Sequence, residues 1–312
     1  VLPGDFGQNR AVKIRRLLLF PRRHILKLNK KENCLMPVLK RLSPDQRSDF
    51  ERNGYLHKLP PVFSREEMRN LNSGLDGLLR LLRPGESSKE IREWHESSRF
   101  LYDICMNPVI LDYVEDLLGP DFFLWGSNFF IKEPRSLSTV GWHQDAYYWP
   151  LDPHESLTVW LAFDDSTVEN GAMTVIPGSH TAGLLKHVRV GETDSVLMLE
   201  CERGQFREDI AVPATLHAGE VSIHDDKLVH GSPDNPSDKR RAGLTIRYSR
   251  TNVKCDLAIN PHFTTYLCRG VDRYHHNPQG TVPVKPYGRL DREHRSVEEA
   301  GREAEKKLGL IP

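Results

Sequence analysis

At Pro120 the sequence changes period. Upstream, apolar residues recur at helical spacing; downstream they come in short runs bounded by Gly, Pro, Asn and Asp. Three helices are predicted before the change. Ser43 caps the first, with Pro44 at its opening position and Gly54 at its end. Ser64-Arg65-Glu66-Glu67 is a capping box, followed by Met68, Leu71, Leu75, Leu78, Leu79 and Leu82 along one face. Asn107-Pro108 opens a third, which carries Ile110, Leu111, Val114, Leu117 and Leu118 and stops at Gly119. After Pro120 the runs at 122–131, 157–163, 172–176, 196–199, 220–224 and 242–248 read as strands, and Asn170-Gly171 predicts a hairpin between two of them. Six short strands at irregular spacing, behind a helical segment, predict a mainly β fold with flanking helices. An antiparallel sandwich or barrel fits, and a jelly roll is one solution. The stretch 253–289 is loop-rich by pattern, and 297–310 reads as a charged helix.

A chain of 312 residues fits one large domain with appendages, and it buries enough surface to fold without a disulfide or a structural metal. A metal held by such a chain points to chemistry rather than to folding. The five cysteines (Cys34, Cys105, Cys201, Cys255, Cys268) are odd in number, scattered, and include no Cys-x-x-Cys pair. They argue against a disulfide framework or a zinc ribbon and suit a reducing compartment, so a cytoplasmic location is expected. The formal net charge is zero but unevenly spread. Residues 1–41 hold eleven Lys/Arg against Asp5 and Glu32, roughly +9. The expected organisation is a basic extension over 1–42 and a single domain over 43–312. Within that domain come a helical part at 43–120, a β core at about 121–250 and a tail at 251–312. The extension reads as solvated or loosely docked, and no nucleic-acid partner is expected. The apolar run at 17–20 is too short for a membrane span or a signal peptide, and no other run approaches spanning length.

The chemistry sits in Gly141-Trp142-His143-Gln144-Asp145. On extended backbone, residues i and i+2 point to one side, so His143 and Asp145 can face a common point inside a barrel. An imidazole and a carboxylate are two adjacent ligands for a divalent metal. A second histidine completes a facial triad with open positions, the arrangement of non-haem Fe(II) oxygenases. His230, His224, His180 and His217 are the histidines available to close it. Local context favours His230, which follows the strand-like Lys227-Leu228-Val229 and precedes a basic strand beginning Arg240-Arg241. A guanidinium there could hold a carboxylate bidentately.

Five ordered motifs carry a resemblance to a known family. They are WHQD at 142–145, VWLAFDDST at 159–167, ENGAMTVIPGSH at 169–180, HGS at 230–232 and RRAGLTIRY at 240–248. Together they resemble the phytanoyl-CoA dioxygenase (PhyH-like) family of Fe(II)/2-oxoglutarate oxygenases. The resemblance implies a double-stranded β-helix core, the jelly roll of cupin-like proteins, with Fe(II), 2-oxoglutarate and O2 as the reacting partners. It implies His143, Asp145 and His230 as iron ligands and Arg241 as the partner of the distal carboxylate of 2-oxoglutarate, supported by Ser232. Gln144 and Trp160 match positions around the co-substrate and Asn128, on a strand that does not align firmly, is a further candidate for the same pocket, whereas His180 falls in an architectural segment. In the family's halogenating branch Ala or Gly replaces the carboxylate ligand. Asp145 stands here, which implies hydroxylation of an unactivated carbon, with succinate and CO2 as by-products.

For the small organic substrate the candidates are Tyr147, Tyr148 and Trp149, directly after the metal motif, and Arg247. Positions 241, 243, 245 and 247 share a face if no bulge intervenes. A structural ion pair at the barrel mouth is the competing role for Arg247, and core packing that for the aromatics. Two other readings use the same residues: a catalytically inactive jelly roll that binds a small molecule or a partner, and a zinc hydrolase, which would leave Arg241 without a task. The oligomeric state is not encoded in any motif.

Overall fold

The computed structural model describes residues 39–190, 195–291, 306 and 309. The basic extension up to residue 38 and, apart from Lys306 and Gly309, the helix expected at 297–310 lie outside the described residues. Helix α1 (Pro44–Asn53) begins with a reciprocal capping box between Ser43 and Gln46 and ends at Gly54, whose φ of 77° is left-handed. Helix α2 (Arg65–Leu79) opens with the Ser64/Glu67 capping box. Helix α3 (Arg99–Cys105) was not legible from pattern: it is short, and Ser98 makes no side-chain cap. Helix α4 (Pro108–Leu118) is capped by Asn107, whose carbonyl oxygen accepts from Val109 and Ile110.

The chain is ordered ahead of the first cap. The backbone N–H groups of Lys40, Arg41 and Leu42 all donate to the buried Asp116 carboxylate of α4, at 2.7–2.8 Å. Leu42 is itself buried.

Fourteen strands are described. In chain order they are β1 (Tyr55–Leu56), β2 (Phe122–Lys132), β3 (Val140–His143), β4 (Leu151–Asp152), β5 (Ser156–Ala162), β6 (Thr174–Val175) and β7 (His187–Arg189). There follow β8 (Leu199–Cys201), β9 (Val212–Pro213), β10 (Val221–Asp225), β11 (His230–Ser232), β12 (Arg241–Arg250), β13 (Lys254–Cys255) and β14 (Tyr266–Arg269). The major sheet runs β1-β10-β5-β12-β2-β14 and the minor sheet β3-β11-β6-β9, with every pairing antiparallel. This two-sheet, non-sequential order is the jelly roll. Asn170-Gly171 does not make the expected hairpin. It ends a 3-10 turn (Val168–Asn170), and the chain crosses there from β5 in the major sheet to β6 in the minor one. The strand expected at 196–199 is shifted, to β8, which pairs with β7.

The two faces of the major sheet divide the labour. One face carries Leu157, Val159, Leu161, Val221, Ile223, Leu244, Ile246 and Tyr248, which join Phe50, Leu75, Leu78, Ile110 and Val114 of the helices in one apolar cluster. Alternation places the opposite set, Thr158, Trp160, Ser222, His224, Arg241, Thr245 and Arg247, on the other face. All seven are nonetheless buried. A strand buried on both sides has no hydrophobic stripe to spend on water, so its polar side must line an interior. None of the described helices is long and apolar enough to cross a membrane.

Candidate metal centre

His143 ends β3 and His230 begins β11; the two are direct antiparallel partners, with ring centroids 4.1 Å apart. Gly231 permits this closeness, because a Cβ there would sit 2.8 Å from the Val140 carbonyl oxygen. Asp145 lies two residues beyond the end of the strand, at the start of a 3-10 turn (Asp145–Tyr147). Gln144 between them is extended (φ −114°, ψ 127°), so the i/i+2 geometry survives the end of the strand. The three side chains are buried, and one ligand atom from each lies within 4.8 Å of the others.

Each histidine is held in the tautomer a metal requires. Nδ1 of His143 donates to the Gly141 carbonyl at 2.9 Å, and Nδ1 of His230 to the Leu228 carbonyl at 2.9 Å. With Nδ1 protonated, both Nε2 atoms present lone pairs. Burial, with His143 and His224 nearby, pushes the His230 imidazole well below its ordinary value and keeps it neutral. Burial raises the Asp145 carboxyl, but His143, His224, His230 and Arg247 beside it outweigh burial and hold the group well below the usual carboxylate range. Thr158 on β5 donates to Asp145 Oδ2 at 2.9 Å, and His224 Nε2 lies 3.6 Å from the same oxygen. That leaves Oδ1, on the His143 side at 3.7 Å from its Nε2, free for a metal. Two imidazoles whose Nδ1 atoms are held by backbone carbonyls and a carboxylate, converging within 4.8 Å, form a donor set that fits Fe(II) with open positions.

A second feature fits the co-substrate. Arg241 is 2 % exposed, its Nε has no hydrogen-bond partner, and it forms no salt bridge with any described residue. Burial lowers its pKa to about 10. Its guanidinium lies 5.5 Å from the centre of the Trp160 ring. Trp160 in turn lies over Gly243, where a Cβ would overlap the indole. Directly across the ladder from Arg241 is Lys132, which is also buried and donates to the carbonyls of Ser232 and Pro233. Two buried cations facing one corner, one with an orphaned N–H, call for an anion. Neighbouring Arg240 points the other way and pairs with Asp164 at 2.8 Å.

The other sequence candidates separate. Trp160 and, through its carbonyl, Ser232 belong to the Arg241 corner. Gln144 does not bind there. It is fully buried, its Nε2 donates to Gly183 and Lys227 carbonyls, and its Oε1 accepts from Leu185, so no group remains for a ligand. It is an architectural latch. Asn128 accepts from Arg247 Nη1 at 3.2 Å, which places its amide away from Arg241. Tyr147 stacks on His187 (3.7 Å, 17°), and the Tyr148 hydroxyl donates to the Leu199 carbonyl, so both are packed onto β7 and β8. Trp149 faces Arg247, 5.2 Å from ring centre to guanidinium carbon. Of the alternative histidines, His180 packs against Gly54 and contacts the Glu51 carbonyl, and His217 is exposed beside Asp165. His224 is in the centre, its Nε2 3.6 Å from Asp145 Oδ2, and neither of its ring nitrogens has a hydrogen-bond partner. Sequence reasoning missed Lys132 and Thr158. Thr158 was within reach, since it stands two residues before Trp160 on one strand; Lys132 required the β2–β12 register.

Comparison with known proteins agrees with this geometry. The sequence profile of the phytanoyl-CoA dioxygenase (PhyH) family matches residues 50–243. L-proline trans-4-hydroxylase of Streptomyces griseoviridis is 26% identical over 246 residues, 70% of this chain and 91% of that one. The chain spans 50% of the peroxisomal phytanoyl-CoA dioxygenase of Bos taurus, also at 26% identity over 52% of its own length. Among solved structures, the apo form of the non-heme monooxygenase ThoJ superposes with a TM-score of 0.69 at 26% identity, covering 86% of this chain and all of that one. CytC3 with Fe(II) and alpha-ketoglutarate gives 0.59 at 26% identity, covering 82% and 99%.

Proposed function

Because the chain belongs to the phytanoyl-CoA dioxygenase family, we propose that His143, Asp145 and His230 hold its iron and that Arg241 anchors its 2-oxoglutarate. The protein is an Fe(II)- and 2-oxoglutarate-dependent non-haem oxygenase that hydroxylates a small organic substrate. The observation that carries the residue assignment is the pair of unmet demands in one cavity: three converging ligand atoms and a buried guanidinium with no counter-charge. Bound iron supplies dioxygen activation, coupled to decarboxylation of 2-oxoglutarate to succinate and CO2.

The residues do the rest. Gly141 and Leu228 carbonyls fix the imidazoles, and Thr158 holds one oxygen of Asp145, which would leave the other for a metal. Arg241, kept flat by Trp160 and flanked by Lys132 and Ser232, fixes the far end of the co-substrate and so sets its direction of approach. A buried guanidinium–carboxylate pair in a dry site is worth far more than a surface one. Asp145 keeps a carboxylate at the position that halogenation would need free, which is why hydroxylation is the reaction.

The relatives act on substrates as different as proline and phytanoyl-CoA, going by their names, so the substrate of this chain is set by its own lining residues. We place the protein in the cytoplasm, acting on a free small molecule without a nucleic-acid partner. The unpaired cysteines Cys105, Cys201, Cys255 and Cys268 support a reducing compartment. The domain is taken to start ahead of Ser43, as the Asp116 contacts of residues 40–42 require.

The test is an anaerobic titration of metal-free protein with Fe(II) and 2-oxoglutarate, read by the visible metal-to-ligand charge-transfer band. The band is expected in the wild type, absent in Asp145→Ala, and formed only at much higher 2-oxoglutarate in Arg241→Ala. A wild type that binds neither partner would return the chain to the inactive-binder reading.

A further inference from the structure

Arg247 is the second buried guanidinium of the cavity. It is 7 % exposed, and its Nε has no hydrogen-bond partner. It forms no salt bridge with any described residue, so the ion pair expected at a barrel mouth is not what holds it. Its described contacts are the Asn128 carbonyl oxygen at 3.2 Å and two indole rings, Trp149 at 5.2 Å and Trp125 at 5.7 Å. The two rings meet edge to face, 4.7 Å apart. Gly126, its partner across β2, makes room for the arginine stem, since a Cβ there would lie 3.2 Å from Arg247 Cδ.

Its position separates it from the co-substrate site. Arg241 and Arg247 are six residues apart on one strand, and the register of β12 with β2 shifts only after Arg247, where Trp125 is the extra residue on β2, so both arginines face the interior. At roughly 3.4 Å per residue their Cα atoms are about 20 Å apart, and the guanidinium groups lie against different rings, Arg241 against Trp160 and Arg247 against Trp125 and Trp149. On the other flank, Arg247 pairs across β5 with Thr158, the residue that donates to Asp145. Arg247 therefore stands beside Asp145, six residues along the strand from Arg241.

Charge accounting gives it a task. With iron and 2-oxoglutarate in place, Asp145 and the two co-substrate carboxylates are matched by the metal and Arg241, and the other carboxylate that acts on Arg247, Glu93, faces Arg92 at 3.9 Å, so no described carboxylate forms a salt bridge with Arg247. Cation–π contact with two indoles offsets part of the desolvation of a guanidinium, but it does not neutralise it. A buried cation with an orphaned Nε–H and aromatic walls suits a planar monoanion attached to an apolar body. A dianionic phosphoryl group would leave one further charge buried.

We propose that Arg247, walled by Trp125 and Trp149, binds a carboxylate of the primary substrate, and that the enzyme hydroxylates small carboxylic acids whose apolar part reaches towards the metal ligands. The assignment rests on the oxygenase reading of the same cavity. It accounts for Trp149 lying directly after the metal motif: the loop that supplies Asp145 also supplies a wall of the substrate site.

The experiment uses the full chain loaded with Mn(II) and 2-oxoglutarate, which does not turn over, and reads tryptophan fluorescence, since both walls are indoles. The probes are phenylacetate, cyclohexanecarboxylate and hexanoate, each against its primary amide, with phenyl phosphate as the dianion. At least one acid is expected to bind about tenfold or more tightly than its amide and than phenyl phosphate. Arg247→Gln is expected to erase that preference, and Arg247→Lys to restore part of it. Acids and amides binding alike, with no binding of either up to about 20 mM counted as alike, overturns the proposal. So does an acid preference that survives in Arg247→Gln, and tighter binding of the phosphate overturns the carboxylate assignment. The Fe(II)–2-oxoglutarate band reports separately on the parent reading. Its absence from the wild type removes the oxygenase assignment, whereas its presence without an acid preference removes only the role of Arg247. Should Arg247→Gln fail to form the band, the wild-type comparison and Arg247→Lys decide.

Discussion

At the scale of single residues, adjacent positions in this chain have opposite tasks because a strand alternates faces. Arg240 pairs with Asp164 and hydrogen-bonds Asn72 on one side of the sheet, while Arg241 faces the cavity without a partner. The two substitutions therefore predict different results. Arg241→Gln is expected to raise the 2-oxoglutarate concentration for half-saturation by about 30- to 1,000-fold, the equivalent of roughly 2–4 kcal/mol for one partner lost from a buried charged pair. Arg240→Gln should leave it within about threefold, because a half-exposed ion pair contributes little. Initial rates against 2-oxoglutarate separate them, and similar values for both would refute the facing of β12. Gln144 shows the limit of motif matching. It stands between two ligands, yet all of its amide capacity is spent on backbone.

At the scale of elements, the centre depends on how closely β11 lies on β3. Gly231→Ala puts a methyl group against the Val140 and Gly141 carbonyls, which costs on the order of 1–3 kcal/mol if the strands hold and parts His230 from His143 if they do not. We expect at least a tenfold loss of Fe(II) affinity with unchanged far-ultraviolet circular dichroism. Native metal affinity in this variant would count against the strand contact as the source of the geometry. A contrasting element lies far from the metal. Asp116 of α4 accepts three backbone N–H groups of residues 40–42. Asp116→Ala strands those donors and should cost about 2–3 kcal/mol, lowering Tm by roughly 3–8 °C while the Fe(II)–2-oxoglutarate band keeps its intensity. The Asn-Gly turn belongs here too. Its backbone preference was legible, but whether a left-handed glycine closes a hairpin or ends a 3-10 turn between sheets depends on what the next strand pairs with.

At the scale of the whole molecule, the jelly roll buries polar groups that the separate segments would leave in water, and stability should record it. Lys132 has its pKa pushed down to about 7 by burial and by Arg241 across the ladder. In the unfolded chain a lysine keeps its proton until about 10.4. Between pH 7 and pH 10 the unfolded state therefore binds more protons than the folded one, and stability rises with pH across that window. Without co-substrate, the urea-unfolding free energy should increase by about 1–2 kcal/mol from pH 7 to 9, and Lys132→Met should flatten the rise. A wild type that loses stability over this range would contradict the burial of the amine. Helix caps, strand periods, the His-x-Asp pair and the choice of a jelly roll were readable in the linear sequence, because each rests on contacts within a few residues or on motifs in fixed order. The sequence alone could narrow the third ligand to four histidines and favour one of them. Which histidine meets His143, that Thr158 steadies Asp145, and that Lys132 faces Arg241 were decided only by the pairing of distant strands. A register is set by the burial of every strand at once, and no local stretch of this chain contains that information.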